Sequence, residues 1–362
     1  MAGLQNRLSA DVAIVGAGPA GTATAISCLR AGLRVVILER ERFPRERPGE
    51  TLHPGVEPLL RRLGALDRVS QAGFLRHEGI WVRWDDSSPR FVPYGADENG
   101  AWKGFQAWGA DLDAILLEHA RRLGAQIVQP CRALDVTASR DRIDGLKTSE
   151  GGVVKARFVV DAAGSRHWLA RRLGLSIRHL SPRLIARFGY LKGTCRYRDS
   201  APAIVADESG WTWTAKVREN LYHWTRLNLD GGWPESTFVP GELRGLSPRG
   251  SSRGADVGWR VVEKPAGPGY FVVGDAAAVL DPASSHGVLK ALLSGMLAAH
   301  LIVEVLVAGR GEGAVAAVHG DWVADHVARD VAELRSLYAR LPRPPHWLKR
   351  LERLSSSGSP YL

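Results

Sequence analysis

Two hydrophobic rhythms divide this chain. In the first, short runs of four or so apolar residues carry no polar alternation. Val12-Ala13-Ile14-Val15 leads into Gly16-Ala17-Gly18-Pro19-Ala20-Gly21, and Val35-Val36-Ile37-Leu38 ends in Glu39. Such runs predict strands buried on both faces, as in a parallel sheet. Buried strand and glycine turn recur twice more, in Phe158-Val159-Val160-Asp161-Ala162-Ala163-Gly164 and in Tyr270-Phe271-Val272-Val273-Gly274-Asp275. The second rhythm is period two. It marks 73–94 in part and the strand-rich middle, 184–229, where Trp211-Thr212-Trp213-Thr214 places both tryptophans on one face. Helical spacing predicts helices over 56–69, over 111–123 with Asp111 as N-cap, from about 288, and over 314–340. A short strand is expected at 126–129 and a hairpin over 142–160. The Gly-, Pro- and Ser-rich stretch 231–258 reads as a long loop, and 341–362 as a basic, proline-containing tail.

The first turn has the context a dinucleotide site requires. Gly16 permits the tight turn, Gly18 lets backbone approach a diphosphate, and Gly21 lets helix and strand pack closely. The first-turn N–H groups, at Ala20 and Gly21, and the helix dipole face the phosphates. Glu39 closes the second strand, where an acid binds ribose.

Composition narrows the class. The 362 residues, 45% hydrophobic and 24% charged, suit an ordinary globular protein. The net charge of +10 comes without a recognised nucleic-acid motif, so no nucleic-acid partner is expected. Three widely spaced cysteines argue against a disulfide framework and against a metal site. No apolar signal region precedes residue 10, and Lys290, His300 and Glu304 interrupt the apolar stretch 288–308. A core helix is therefore expected there, with no membrane span and a cytoplasmic location.

Taken together, the three glycine turns resemble those of the FAD-dependent aromatic monooxygenases with the para-hydroxybenzoate-hydroxylase fold. Gly49-Glu50-Thr51-Leu52 is similar to a segment of the flavin-dependent halogenases and their non-halogenating relatives. Asp281-Pro282-Ala283-Ser284-Ser285-His286-Gly287 is similar to a loop of the flavoproteins that hydroxylate a protein tryptophan during tryptophylquinone biogenesis. The resemblance implies an α/β fold: a Rossmann-like FAD-binding domain from 1–75, 105–175 and 260–310, and a mixed β-sheet substrate domain from 76–104 and 176–259. A C-terminal helix and tail follow over 311–362. Three departures stand out. Gly109 occupies the place of a family arginine four residues before Asp113, so Arg45 or Arg47 is expected to substitute. No lysine stands in 78–84, where halogenases carry a catalytic one. The halogenase motif Trp-x-Trp-x-Ile-Pro is half present, at Trp211 and Trp213.

The resemblance further implies the site. FAD would be held by Gly16, Gly18, Ala20, Gly21, Glu39, Arg40, Arg47, Thr51, Ala163, Gly164, Gly274, Asp275, Gly287 and Val288. His286, Pro282 and His53 are the catalytic candidates. Trp211, Trp213, His223, Trp224 and Trp81 are the substrate candidates, able to stack on a planar ring. The expected activity is hydroxylation of an aromatic through a flavin C4a-hydroperoxide formed with O2. NAD(P)H or a separate flavin reductase is the expected electron source. The aromatic is expected to be an indole, as a small molecule or as a tryptophan in a polypeptide. Halogenation, isoprenoid-type reduction and a flavin-binding maturation partner without turnover are the alternatives.

Overall fold

The structure is a computed structural model describing residues 7–348 apart from 86, 87, 231, 233, 234 and 236. The expectations for 1–6 and for the tail beyond 348 lie outside the described residues.

The unalternated apolar runs form the centre of a mixed sheet. Arg7–Val15 pairs in parallel with Val35–Leu38 on one side and with Val153–Asp161 on the other. The end of Val153–Asp161 pairs in parallel with Tyr270–Val272. Gln126–Val128 extends one edge, and the antiparallel strands Arg142–Thr148 and Ala133–Ser139 extend the other. Burial on both faces is real: Val12 and Ile14 join one core, while Ala13 and Val15 join the other. The three glycine turns therefore sit side by side at the carboxyl ends of neighbouring parallel strands, where open α/β sheets bind ligands.

Seven α-helices frame the sheets among the described residues: α1 Pro19–Arg30, α2 Val56–Leu63, α3 Leu66–Gln71, α4 Gly109–Arg122, α5 Trp168–Arg172, α6 Gly287–Leu306 and α7 Glu312–Ala339. By length and composition α6 is apolar enough to cross a membrane, yet it packs against α1. A Cβ on Gly295 would lie 2.3 Å from the carbonyl oxygen of Ala20, so only glycine permits this approach.

The second large sheet runs Ser247–Pro248, Ile185–Lys192, Leu221–Asn228, Gly210–Arg218, Ala203–Asp207, Gly79–Arg83, Arg90–Pro93, with Arg253–Asp256 also on Ile185–Lys192. A smaller sheet of Gly49–Leu52, Gly104–Trp108 and Leu75–His77 accompanies it. α7 carries Val323, Val327, Val331, Leu334 and Tyr338 into the core shared with Trp84, Trp211 and Trp259. The start of the tail is packed there too, where the indole N–H of Trp347 donates to the Leu229 carbonyl at 3.0 Å.

Local chemistry explains the departures from expectation. The helix expected over 56–69 is two helices, because Gly64 takes the left-handed conformation (φ 73°) and ends the first. α4 begins at Gly109, and Asp111 lies in its first turn rather than capping it, its carboxylate paired with Arg218. The loop expected over 231–258 contains the exposed strands Ser247–Pro248 and Arg253–Asp256, which lack any apolar alternation to announce them. Ile177–His179, expected with the substrate sheet, pairs instead with Arg260–Val262.

Candidate active site

One cavity of about 1730 Å³ runs from the first glycine turn to the second sheet. Single drug-sized ligands fill roughly 300–1,000 Å³, so this space suits a dinucleotide and a second molecule. Two helix starts converge on it. α1 opens at Gly18 with no side-chain cap and no acid in its first turn, and α6 opens at His286 in the same way. Unpaired N–H groups at an uncapped helix start favour anions. FAD fits this arrangement: a diphosphate at α1, and at α6 the pyrimidine edge that gains negative charge on reduction.

At the ribose end, Glu39 is buried. Its carboxylate accepts from Ala17 N at 2.9 Å, from Glu41 N at 3.0 Å and from Arg45 at 3.0 Å. A carboxylate offers about four acceptor sites, so one remains for a ribose hydroxyl. Arg45 continues to Asp113 at 3.0 Å, and Arg47 lies 3.7 Å from the same oxygen. Burial pushes the Asp113 carboxyl above its usual value, and the two arginines oppose the shift. Of the two expected substitutes for the arginine missing at Gly109, Arg47 packs against that glycine, its Cβ 3.0 Å from where a Cβ on Gly109 would stand, while Arg45 bridges Glu39 and Asp113. The Arg45 guanidinium lies 3.3 Å from where a Cβ on Gly18 would stand, beside the expected diphosphate. Arg40 lines the same cavity, with its side chain paired to Glu41.

In the middle, Asp161 shapes the second turn by accepting from Ala163 N at 2.9 Å and Leu169 N at 2.8 Å. This exposes Ala163 and Gly164 on the cavity wall. The third turn places Gly274 at φ 57° and donates its N–H to Ser294 at 2.9 Å. Asp275 then projects into the cavity, where enclosure by protein raises its carboxyl. That carboxyl suits a ribityl hydroxyl. Thr51 also lines the wall, although its hydroxyl is held by Gln106 at 2.8 Å. Beside it, Glu50 is pushed up to about 8 by burial first, with Asp113 and Asp275 adding repulsion. The sequence reading assigned Glu50 no role.

At the far end, Pro282, Gly287 and Val288 line the wall. His53 and Tyr94 also line the wall, packed edge-on at 5.1 Å; the catalytic candidate His286 is not among the lining residues, and its imidazole, 5.8 Å from that of His53, lies beside Asp330 and Glu333 of α7. Burial lowers both histidines, and the neighbouring Lys290 and then His53 lower His286 further, so both are neutral bases near neutral pH. Trp211, Trp213 and His223 line the cavity from the second sheet, with Phe188 and Thr225. His223 is buried, stacks on Tyr190 at 4.9 Å and is lowered to about 3 by burial.

Two substrate candidates are not on this wall. Trp224 packs against Phe238 and above Gly189 on the opposite face, since it directly follows His223 in a strand. Trp81 meets Phe91 at 5.5 Å, outside the cavity lining. Among the described residues no lysine lines the cavity. The sequence reading missed Tyr94 and Tyr338, and although Asp281 opens the 281–287 segment it was given no role of its own. No motif or spacing announces the two tyrosines.

The fold and site define a flavin-binding oxidoreductase. The family described as FAD binding domain matches residues 9–215, and the chain belongs to it. It is 27% identical to the flavin-dependent halogenase armH3 of Armillaria mellea, over 92% of this chain and 75% of that protein. It is also 27% identical to tryptophan 2-halogenase of Chondromyces crocatus, over 82% of this chain but only 62% of that protein. The crystal structure of CmlS, a flavin-dependent halogenase, superposes with TM-score 0.84 at 25% identity, covering 98% of this chain and 71% of that one. The peptidyl tryptophan dihydroxylase QhpG shares the fold, with TM-score 0.74 at 21% identity, covering 95% of this chain and 79% of that one. The chain is thus an FAD-dependent oxidoreductase, with flavin-dependent halogenases among the proteins it resembles. Three of these four are named as halogenases and one as a dihydroxylase.

Proposed function

We propose that this enzyme inserts one oxygen atom of O2 into an electron-rich aromatic ring. The second oxygen leaves as water, and two electrons come from NAD(P)H or a separate flavin reductase. Bound FAD, once reduced, supplies the oxygen activation. The observation that carries the reading is the far end of the cavity, which is lined by Trp213, Tyr94 and the neutral imidazole of His53, with no lysine among its described residues. Trp213 presents flat apolar surface to a planar ring, while Trp211 borders the cavity from within the core. Pro282 shapes the wall opposite, and His286 or His53 takes the proton that leaves the ring. An indole is the substrate class this wall suits. The names tryptophan 2-halogenase and peptidyl tryptophan dihydroxylase support it, as a free molecule or as a tryptophan in a polypeptide maturing toward a tryptophylquinone.

Halogenation is the second reading, favoured by the halogenases among the relatives. One reaction separates the two. The enzyme is supplied with FAD, a flavin reductase, O2 and bromide, and offered indole, L-tryptophan and a tryptophan peptide. A product with an added oxygen and no bromine supports hydroxylation, whereas a brominated product supports the second reading. His286→Ala should retain FAD and lose most product. Unchanged turnover would reduce His286 to the residue that opens α6.

A further inference from the structure

Beneath the Pro282–Gly287 segment lies a buried carboxylate with no cation paired to it among the described residues. Asp281 is fully buried. Its Oδ1 accepts from Ala283 N at 2.9 Å, and its Oδ2 accepts from the Trp259 indole N–H at 2.9 Å and from the Tyr338 hydroxyl. The Tyr338 oxygen in turn accepts from the Trp211 indole N–H at 3.0 Å. Tyr338 is itself fully buried, with its ring stacked on Trp84 and Trp259. The four groups form one hydrogen-bonded line across the core.

Its two ends matter. Asp281 caps the short turn Pro282–Ser284, after which Ser285 is held at φ 56°, a conformation non-glycine residues rarely adopt. Pro282, Ser285 and Gly287 of this segment form one wall of the cavity. Trp211 belongs to the facing wall. An uncompensated buried carboxylate is costly and is tolerated only when donors surround it. The Trp259, Tyr338 and Trp211 donors come from different parts of the chain, so loss of one lets the segment and the sheet shift relative to each other.

The geometry points to Tyr338, on the C-terminal helix α7, as a positioning residue that sets the gap between the Pro282–Gly287 segment and the Trp211 sheet. It touches neither FAD nor substrate and acts through Asp281 and Trp211. This inference deepens the proposed function and rests on it only in placing flavin and an aromatic in the cavity.

The test is Tyr338→Phe, which removes the hydroxyl and keeps the ring, in the full chain loaded with FAD. Two readouts are the visible spectrum of the bound flavin and its perturbation on titration with indole. Val327→Ala, a truncation in the core face of α7 away from the network, controls for loosening of the helix. The expected result is full FAD content in Tyr338→Phe, a shifted flavin spectrum and indole binding weakened about tenfold, the size of one hydrogen bond. Trp211→Phe should reproduce part of the effect, and Asp281→Asn, which keeps an acceptor, should be milder than Asp281→Ala. If Tyr338→Phe does not fold, Trp259→Phe, which removes the other indole donor to Asp281 away from the cavity wall, carries the decision. The proposal is overturned if the network variants leave spectrum and titration as in the parent, or change them no more than Val327→Ala does. Neither readout requires turnover, so a failed hydroxylation assay leaves this result interpretable.

Discussion

At the scale of the residue, the glycines of the first turn do different work, and this predicts different failures. A Cβ on Gly16 would lie 2.4 Å from the Ala162 carbonyl oxygen, and one on Gly21 would lie 2.0 Å from that of Gly16. Side chains there break the packing of strand and helix. A Cβ on Gly18 meets only the end of the Arg45 side chain, at 3.3 Å. Gly18→Val is therefore expected to fold yet purify colourless, whereas Gly21→Val should lose the fold; absorbance and circular dichroism check both. Glu50 gives a second prediction. Its carboxyl stands at about 8 against an ordinary 4.5, so the folded state holds the proton more tightly. The stability this contributes is full at low pH and is lost as pH rises through that value. In the flavin-free protein, Glu50→Gln should thus gain in Tm relative to the parent between about pH 5 and about pH 9. A constant difference across that range would contradict the assignment. The glycine motif and Glu39 were legible because fixed spacing reports backbone geometry. Glu50 was not, because its shift arises first from burial and then from Asp113 and Asp275, far away in the chain, and packing alone brings these about.

At the scale of the element, α1 and α6 present their starts to one cavity because Gly295 lets them touch. Gly295→Leu should push them apart, costing ~1–3 kcal/mol of stability as overpacking does, and weaken FAD binding in a titration. Retained affinity would show that the two starts are held independently. The second sheet offers a paired test. Trp213→Ala, on the cavity wall, should weaken indole binding with a small loss of stability. Trp224→Ala, on the opposite face, should cost ~3–5 kcal/mol and leave the affinity of the folded fraction unchanged. Reversed results would mean the faces are misassigned. Period two in Trp211 and Trp213 made their shared face legible. The same rule places His223 and Trp224 on opposite faces, but it does not say which face meets the cavity. That depends on the register pairing Ala215 with His223.

At the scale of the whole molecule, the chain passes back and forth between two large sheets, and the cavity lies where they meet the three glycine turns. The order of strands and helices was readable from hydrophobic rhythm, because runs buried on both faces and half-buried strands leave different patterns. The role of the last helix was not. Tyr338 and Trp347 look like ordinary aromatics in sequence, and only packing shows that they reach Asp281 and Leu229. Much of the unusual tryptophan content serves this core, in Trp84, Trp211, Trp259 and Trp347. The central claim is that this cavity brings reduced FAD, O2 and an aromatic together for oxygen transfer. The most direct measurement is mass spectrometry of indole, L-tryptophan and a tryptophan peptide after reaction under oxygen-18 gas, with a flavin reductase and with halide present. The account predicts one ring-bound oxygen derived from the gas and no halogen. A halogenated product, or label-free product from protein that binds no FAD, would contradict it.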